Sequence, residues 1–175
     1  MKSVSPPAIS YCMRASTLGS LLVAATSRGV CFVRFGHSEA ELEHRLKNAF
    51  PFAPLARTDE GDVGDWCRAL ADYVDGTCNS AEVPLDVSGS RFEERVWGAL
   101  RQIPMGQTRS YSEIAREIGN PKSARAVARA CAENPVAVVI PCHRVIEKSG
   151  GLGGYGGGVS RKRALLEREG ASWRE

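Results

Sequence analysis

The apolar residues of this chain change their spacing near its midpoint. Before residue 88 they come in short runs. Leu18 to Ala25 and Val30-Cys31-Phe32-Val33 are mostly apolar stretches on either side of Ser27-Arg28-Gly29, and they predict two strands joined by a hairpin turn. Ser38-Glu39-Ala40-Glu41 has the form of a capping box. It opens a predicted helix with Leu42, Leu46 and Phe50 on one face, ended by Pro51 and Pro54. A second helix from near Asp62 turns Trp66, Leu70, Tyr73 and Val74 inward and stops at Gly76. Val83, Leu85 and Val87 alternate with other residues, the pattern of a half-buried strand. Ser88-Gly89-Ser90 reads as a linker, which places one domain over 1–88 and another over 89–175.

Beyond the linker the spacing is helical. Ser90-Arg91-Phe92-Glu93 is a second capping box, followed by Phe92, Val96, Leu100 and Ile103, and stopped by Pro104 and Gly106. Ser110-Tyr111-Ser112-Glu113 opens a short helix with Ile114 and Ile118 inward, closed by Gly119. Asn120 with Pro121 predicts the start of the next helix, which runs to about Glu133 before Asn134-Pro135. Two helices joined so tightly have a helix-turn-helix signature. Lys122, Arg125 and Arg129 are spaced to share a face of the second helix, with alanines at 124, 126, 128, 130 and 132. Two readings are equally open: a thin basic helix made to approach nucleic acid, or a core helix with a solvated basic stripe.

Charge sharpens the division. The net charge is +3, but residues 1–90 carry 8 Lys and Arg against 11 Asp and Glu, while residues 91–175 carry 15 against 9. A basic half points to a polyanionic partner. Six cysteines, at 12, 31, 67, 78, 131 and 142, form no Cys-x-x-Cys pair and no zinc-finger spacing. They are expected to be reduced thiols in a reducing, cytoplasmic compartment. Leu18 to Ala25 could mimic a secretory segment, but Arg14 before it and the hairpin after it favour a strand. No run is long enough to span a membrane.

The chemistry is concentrated in Pro141-Cys142-His143-Arg144-Val145, just after the apolar run Val136 to Ile140. A run of that kind is expected to be buried and to deliver Cys142 at the end of a rigid element. A thiol attacks as its thiolate, and an ordinary cysteine is mostly protonated at neutral pH. A neighbouring imidazole can take the proton. Residues 149–158 are rich in glycine around Tyr155, yet match neither a dinucleotide fingerprint nor a P-loop. Ser160 is the expected cap of a last helix through Leu165 and Leu166. Glu169 follows on their inward side, where a carboxylate needs a partner and a histidine would serve.

These motifs resemble the O6-alkylguanine-DNA alkyltransferases, also called methylated-DNA–protein-cysteine methyltransferases. The resemblance is densest from Phe92 to Gly170. It rests on Val96-Trp97, Ile103-Pro104, Gly106, Ser110-Tyr111, Gly119-Asn120-Pro121-Lys122, Arg125-Ala126-Val127, Asn134-Pro135, Ile140 to Val145, Gly154-Tyr155 and Leu165-Leu166 with Glu169. In detail it is similar to the C-terminal half of bacterial Ada proteins. The fold it implies is an RNase H-like α/β domain, a small antiparallel sheet with helices, followed by a mainly α domain with a winged-helix-like helix-turn-helix.

The resemblance also implies roles. Cys142 would accept the alkyl group, His143 would deprotonate it through a water, and Glu169 would steady the imidazolium. Asn134 would brace the turn that carries His143. Arg125 would fill the gap left by a flipped base, and Tyr111 would crowd the target phosphate and donate to guanine N3. Lys122, Ser123, Asn120 and Arg129 would contact DNA. The carbonyls of Cys142 and Val145, the N–H of Gly156 and the ring of Tyr155 would form the base pocket. The partner would be double-stranded DNA containing alkylated guanine, with O4-alkylthymine a second candidate, and the protein a monomer in the cytoplasm or on the nucleoid. No cofactor is implied. Some relatives bind zinc in the first domain, but Cys12, Cys31 and His37 do not reproduce that ligand set, so no metal is expected. The glycine-rich wall departs from the family pattern and suggests tolerance of bulky groups such as benzyl. Cys131 is expected to be structural. Competing readings are a lesion-binding homologue, which would lack Cys142; a helix-turn-helix regulator, which would need a sensor domain; and a Cys-His hydrolase, which would turn over.

Overall fold

A computed structural model describes residues 5–175. The chain forms two compact units, the first ending at Val87 and the second beginning at Ser88.

The first unit is built on strands β1 (Ile9–Ser16), β2 (Gly19–Thr26), β3 (Gly29–Gly36) and β4 (Leu55–Arg57), in the order β3-β2-β1-β4. The first three are antiparallel, but β4 runs parallel to β1, so the sheet is mixed and not purely antiparallel. Helix α1 (Glu39–Ala49) packs on β3 and β2, and α2 (Gly61–Asp75) on β1 and β2. Leu21 to Ala24 and Val30 to Val33 are all buried. A strand covered on both faces loses its alternation, which is why these runs read as nearly continuous apolar sequence. Ser38 accepts from the Glu41 N–H at the start of α1, as the capping motif predicts. Phe50 follows the helix and is only half-buried. Trp66 is half-buried too, its expected inward place being taken by Val63 and Cys67. The strand expected over Val83 to Val87 reduces to a single bridge, Leu85 to Val30. Pro84 has no N–H to extend a ladder; its carbonyl accepts from Val30 at 2.8 Å.

The second unit packs α3 (Arg91–Leu100), α4 (Tyr111–Glu117) and α5 (Ala124–Ala132) against one another, then closes with α6 (Val159–Glu169). Ser90 and Ser110 each form a complete capping box, with Glu93 and Glu113. The Trp97 indole donates to the Ala130 carbonyl at 2.9 Å and locks α3 to α5. A short parallel pair, β5 (Arg109–Ser110) with β6 (Val145–Ile146), ties the start of α4 to the segment after Cys142.

Three local expectations are corrected. Helix α5 begins at Ala124, not at Pro121. The Asn120 carbonyl accepts both the N–H and the hydroxyl of Ser123, at 3.0 and 2.6 Å, so Pro121 and Lys122 form a turn before the first helical bond, from Val127 to Ser123. Lys122 therefore leaves the helical face it was expected to share with Arg125 and Arg129. Helix α6 is capped by Gly158, not Ser160; Gly158 has φ +94°, a conformation open to glycine. The run from Val136 to Ile140 is buried except for half-buried Val139, but it is a series of turns rather than a regular element, and Val138 sits at φ +72°. A β-branched residue there is strained by roughly 1–3 kcal/mol and needs its surroundings to hold it.

Candidate active site

That strained turn ends in a short 3₁₀ segment, Cys142–Arg144, which presents Cys142. Asn134, directly after α5, holds the turn from inside. Its carbonyl accepts from the Val136 N–H at 3.0 Å, and its amide donates to the Ile140 carbonyl at 2.8 Å and to Cys142 Sγ at 3.2 Å. Asn134 thus braces the cysteine directly, beyond the turn bracing expected of it.

His143 is fully buried. Its Nε2 lies 2.8 Å from Glu169 Oε1. Arg144 grips the same carboxylate through two bonds, at 2.8 and 2.9 Å, and also donates to the Ile103 carbonyl at 2.6 Å. A carboxylate held by a forked guanidinium is an acceptor, so His143 donates its Nε2 proton to it. The lone pair then belongs to Nδ1, a buried atom without a hydrogen-bond partner among the described residues. Burial pushes the His143 pKa below its ordinary value, against the opposing pull of Glu169. The resting ring is a neutral base with its free nitrogen defined by Glu169.

In front of Cys142 lies a cavity of about 470 Å³. Its walls include Tyr111, Ala128, Cys131, Tyr155 and Gly156. Of the residues expected at the site, Cys142, Tyr111, Tyr155 and Gly156 therefore meet around one space, with His143, Glu169 and Asn134 supporting the cysteine. Burial pushes the Tyr111 phenol up to about 12, so it remains a donor at neutral pH. Cys131, expected to be structural, lines the same cavity, and burial pushes its thiol up to about 12. The Cys142 carbonyl accepts from the Val145 N–H, and the Val145 carbonyl from Lys162. Each carbonyl has a second lone pair to offer.

Of the residues expected to contact DNA, Tyr111 alone is a wall of this cavity. Arg125 is exposed on α5, and Lys122 and Asn120 are exposed before it, with Ser123 half-buried at its cap. Arg129 lies in a separate groove with Phe92 and Glu93.

Lys162, Arg144 and Glu147 were not anticipated. Lys162 is completely buried, donating to the carbonyls of Val145 at 2.6 Å and Gly154 at 3.1 Å, with its ammonium 5.9 Å from the Tyr111 ring centre. Burial lowers its pKa to about 8. The signal was present: Lys162, Leu165, Leu166 and Glu169 form one helical stripe, the same spacing that turned Glu169 inward.

Residues 91–171 match the 6-O-methylguanine DNA methyltransferase DNA-binding domain. A methylated-DNA–protein-cysteine methyltransferase of Methanosarcina acetivorans is 37% identical over 162 residues, covering 92% of this chain and 98% of its own. The chain belongs to the methylated-DNA–protein-cysteine methyltransferase family. The bifunctional transcriptional activator/DNA repair enzyme Ada of Escherichia coli is 43% identical over 162 residues, 93% of this chain; the chain spans only 46% of Ada's length. The crystal structure of Mycobacterium tuberculosis OGT in complex with DNA superposes with a TM-score of 0.77 at 39% identity, covering 92% of each chain. In this methyltransferase-family chain the fold is that of OGT, a small mixed sheet with helices.

Proposed function

We propose that this protein repairs DNA by direct reversal, moving the alkyl group of O6-alkylguanine, and of O4-alkylthymine, to its own Cys142 in one irreversible step. The observation that carries this reading is the buried His143–Glu169 pair directly behind a cysteine that faces a cavity. The alkyl carbon lies within the base stack, so the nucleotide must be extruded. Tyr111 crowds the target phosphate, and Arg125 enters the space left behind. Asn120, Lys122, Ser123 and Arg129 hold the backbone.

Once the base is seated, His143 Nδ1 draws the thiol proton through a bridging water, and Glu169 stabilises the imidazolium. The thiolate forms the S–C bond as the C–O6 bond breaks, and its electron pair ends on guanine. The Tyr111 hydroxyl at N3 and the Gly156 N–H at O6 stabilise that growing charge. Net, the proton passes from sulfur to guanine and a thioether remains. A thioether is a poor leaving group, so each molecule acts once.

The finer fold assignment belongs to this reading: an RNase H-like first unit and a winged-helix-like helix-turn-helix in the second. So do a monomeric state, a cytoplasmic or nucleoid location, and acceptance of an O6-benzyl group. The test mixes the protein with duplex containing O6-methylguanine and measures intact and digested mass. One methyl per molecule on Cys142 is expected, with Cys142→Ala binding DNA but accepting nothing. Multiple turnovers or an unmodified Cys142 would reject the proposal.

A further inference from the structure

Glu147 follows β6 and is tethered by a tight turn: its N–H donates to the Gly151 carbonyl and its carbonyl accepts from the Gly150 N–H, both at 2.9 Å. It lines the cavity in front of Cys142, and its carboxylate accepts from the Ser149 hydroxyl at 3.3 Å. A Cβ placed on Gly153 would stand 3.2 Å from the Tyr111 hydroxyl oxygen and 3.3 Å from Glu147 Cγ. Tyr111 and Glu147 therefore flank the same glycine at the cavity wall. Among the described residues lining that wall, Glu147 alone carries a formal charge; the rest are alanines, glycines, tyrosines and cysteines. The nearby cation, Lys162, is turned to the carbonyls of Val145 and Gly154 and is not part of the lining. Glu147 also borders a second, polar groove beside Ser110, Ser112 and Lys148, so it stands between the two spaces.

We infer that Glu147 sets the charge specificity of the alkyl group transferred, an inference that rests on the function proposed above. An O6-substituent must enter a cavity that this acidic residue borders. An anionic substituent, such as carboxymethyl, brings a second negative charge among neutral walls. A neutral amide of the same size, carbamoylmethyl, brings N–H donors that the carboxylate can accept. Specificity of this kind comes from a repulsive element in an otherwise permissive pocket. At an effective dielectric between water and protein interior, like charges a few ångströms apart separate the two substrates by about tenfold. Glu147 is exposed, so added salt should shrink the difference.

The experiment uses three duplexes of one sequence, carrying O6-methyl-, O6-carbamoylmethyl- or O6-carboxymethylguanine. Single-turnover alkylation of Cys142 is followed by intact mass in the unmodified protein and in Glu147→Gln. The readout is the ratio of carbamoylmethyl to carboxymethyl rates in each protein, so intrinsic reactivity and the field of Lys162 cancel. The expected ratio is about tenfold or more in the unmodified protein and at least several-fold smaller in Glu147→Gln. If methyl is transferred but the two proteins give ratios within about twofold, the inference is overturned. If methyl is not transferred at all, the proposed function itself has failed, and this inference falls with it.

Discussion

His143 Nε2 meets Glu169 Oε1 at 2.8 Å across 26 residues of sequence, and Arg144 clamps the other side of the same carboxylate. The arrangement fixes the imidazole proton on the nitrogen facing Glu169. Glu169→Gln would remove the anion that steadies the imidazolium and leave Arg144 facing an amide. Alkyl transfer should slow about 10–100-fold, and stability should fall by about 3 kcal/mol, because one partner of a buried ion pair is lost. Single-turnover rates and chemical denaturation measure the two effects. An unchanged rate would remove Glu169 from the mechanism.

The same site predicts an acid limb. Burial lowers the His143 pKa in the folded protein. The neutral, proton-accepting ring therefore persists below the ordinary histidine value near 6.5, and transfer should decline only at lower pH. Stability follows the linked sign: as pH falls through about 6.5 the unfolded chain takes up this proton first, so the folded state loses stability with acid. A rate profile from pH 5 to 8, with His143→Gln as reference for stability, checks both parts. A transfer midpoint above 6.5 would contradict the assignment.

Much of this was readable in the sequence because helices announce themselves locally. The capping boxes at Ser90 and Ser110, and the stripe that turns Glu169 inward, need only near neighbours to be recognised. The missed features depend on distant partners. Strand β1 carries Ser10, Arg14 and Ser16 among its apolar residues, and only pairing with β2 and β4 defines it. The turn through Val138 has strand-like composition, but Asn134 bonds both of its ends. The delayed start of α5 follows from one Ser123 side chain competing for the Asn120 carbonyl. Lys162 shares the stripe of Glu169, but a lysine is ordinarily solvated, so its burial is not legible from spacing alone.

Asn134→Ala tests the brace. The substitution removes three hydrogen bonds in a buried place, one of them to Cys142 Sγ, and frees a turn that contains a strained valine. A loss of about 3 kcal/mol is expected, with slower transfer because Cys142 is no longer held. Urea denaturation reports the first. A variant as stable as the parent would show that the turn holds itself.

Lys162 makes a prediction of the same pH sign as His143, in an alkaline window. Its folded pKa is lowered to about 8 from the ordinary 10.5. Between these values the unfolded chain binds the extra proton, so this group makes stability rise as pH increases from about 8 to 10.5, by up to ~3 kcal/mol. Lys162→Met removes that contribution. The buried cysteines and Tyr111, whose pKa values are raised, pull the other way in both proteins. The difference in stability between parent and Lys162→Met should therefore shift in favour of the parent across this range. A constant difference would mean that the lysine is not titrating there.

The basic residues around α5 separate by their surroundings. Lys122 is exposed in the turn, Arg125 is exposed on the helix, and Arg129 shares a groove with Glu93. A residue that neutralises a phosphate contributes about 0.9 to the slope of log affinity against log salt. Lys122→Ala should lower the slope by about that amount. Arg129→Ala should lower it less, because Glu93 already offsets part of its charge. If Arg125 replaces the extruded base as proposed, Arg125→Ala should barely change the slope but slow transfer from duplex about 10–100-fold, because the unstacking cost is then uncompensated. Reaction with free O6-benzylguanine, which needs no extrusion, should be spared in that variant. Equal losses on duplex and free base would place Arg125 in the chemistry of Cys142 rather than in the opening of the helix.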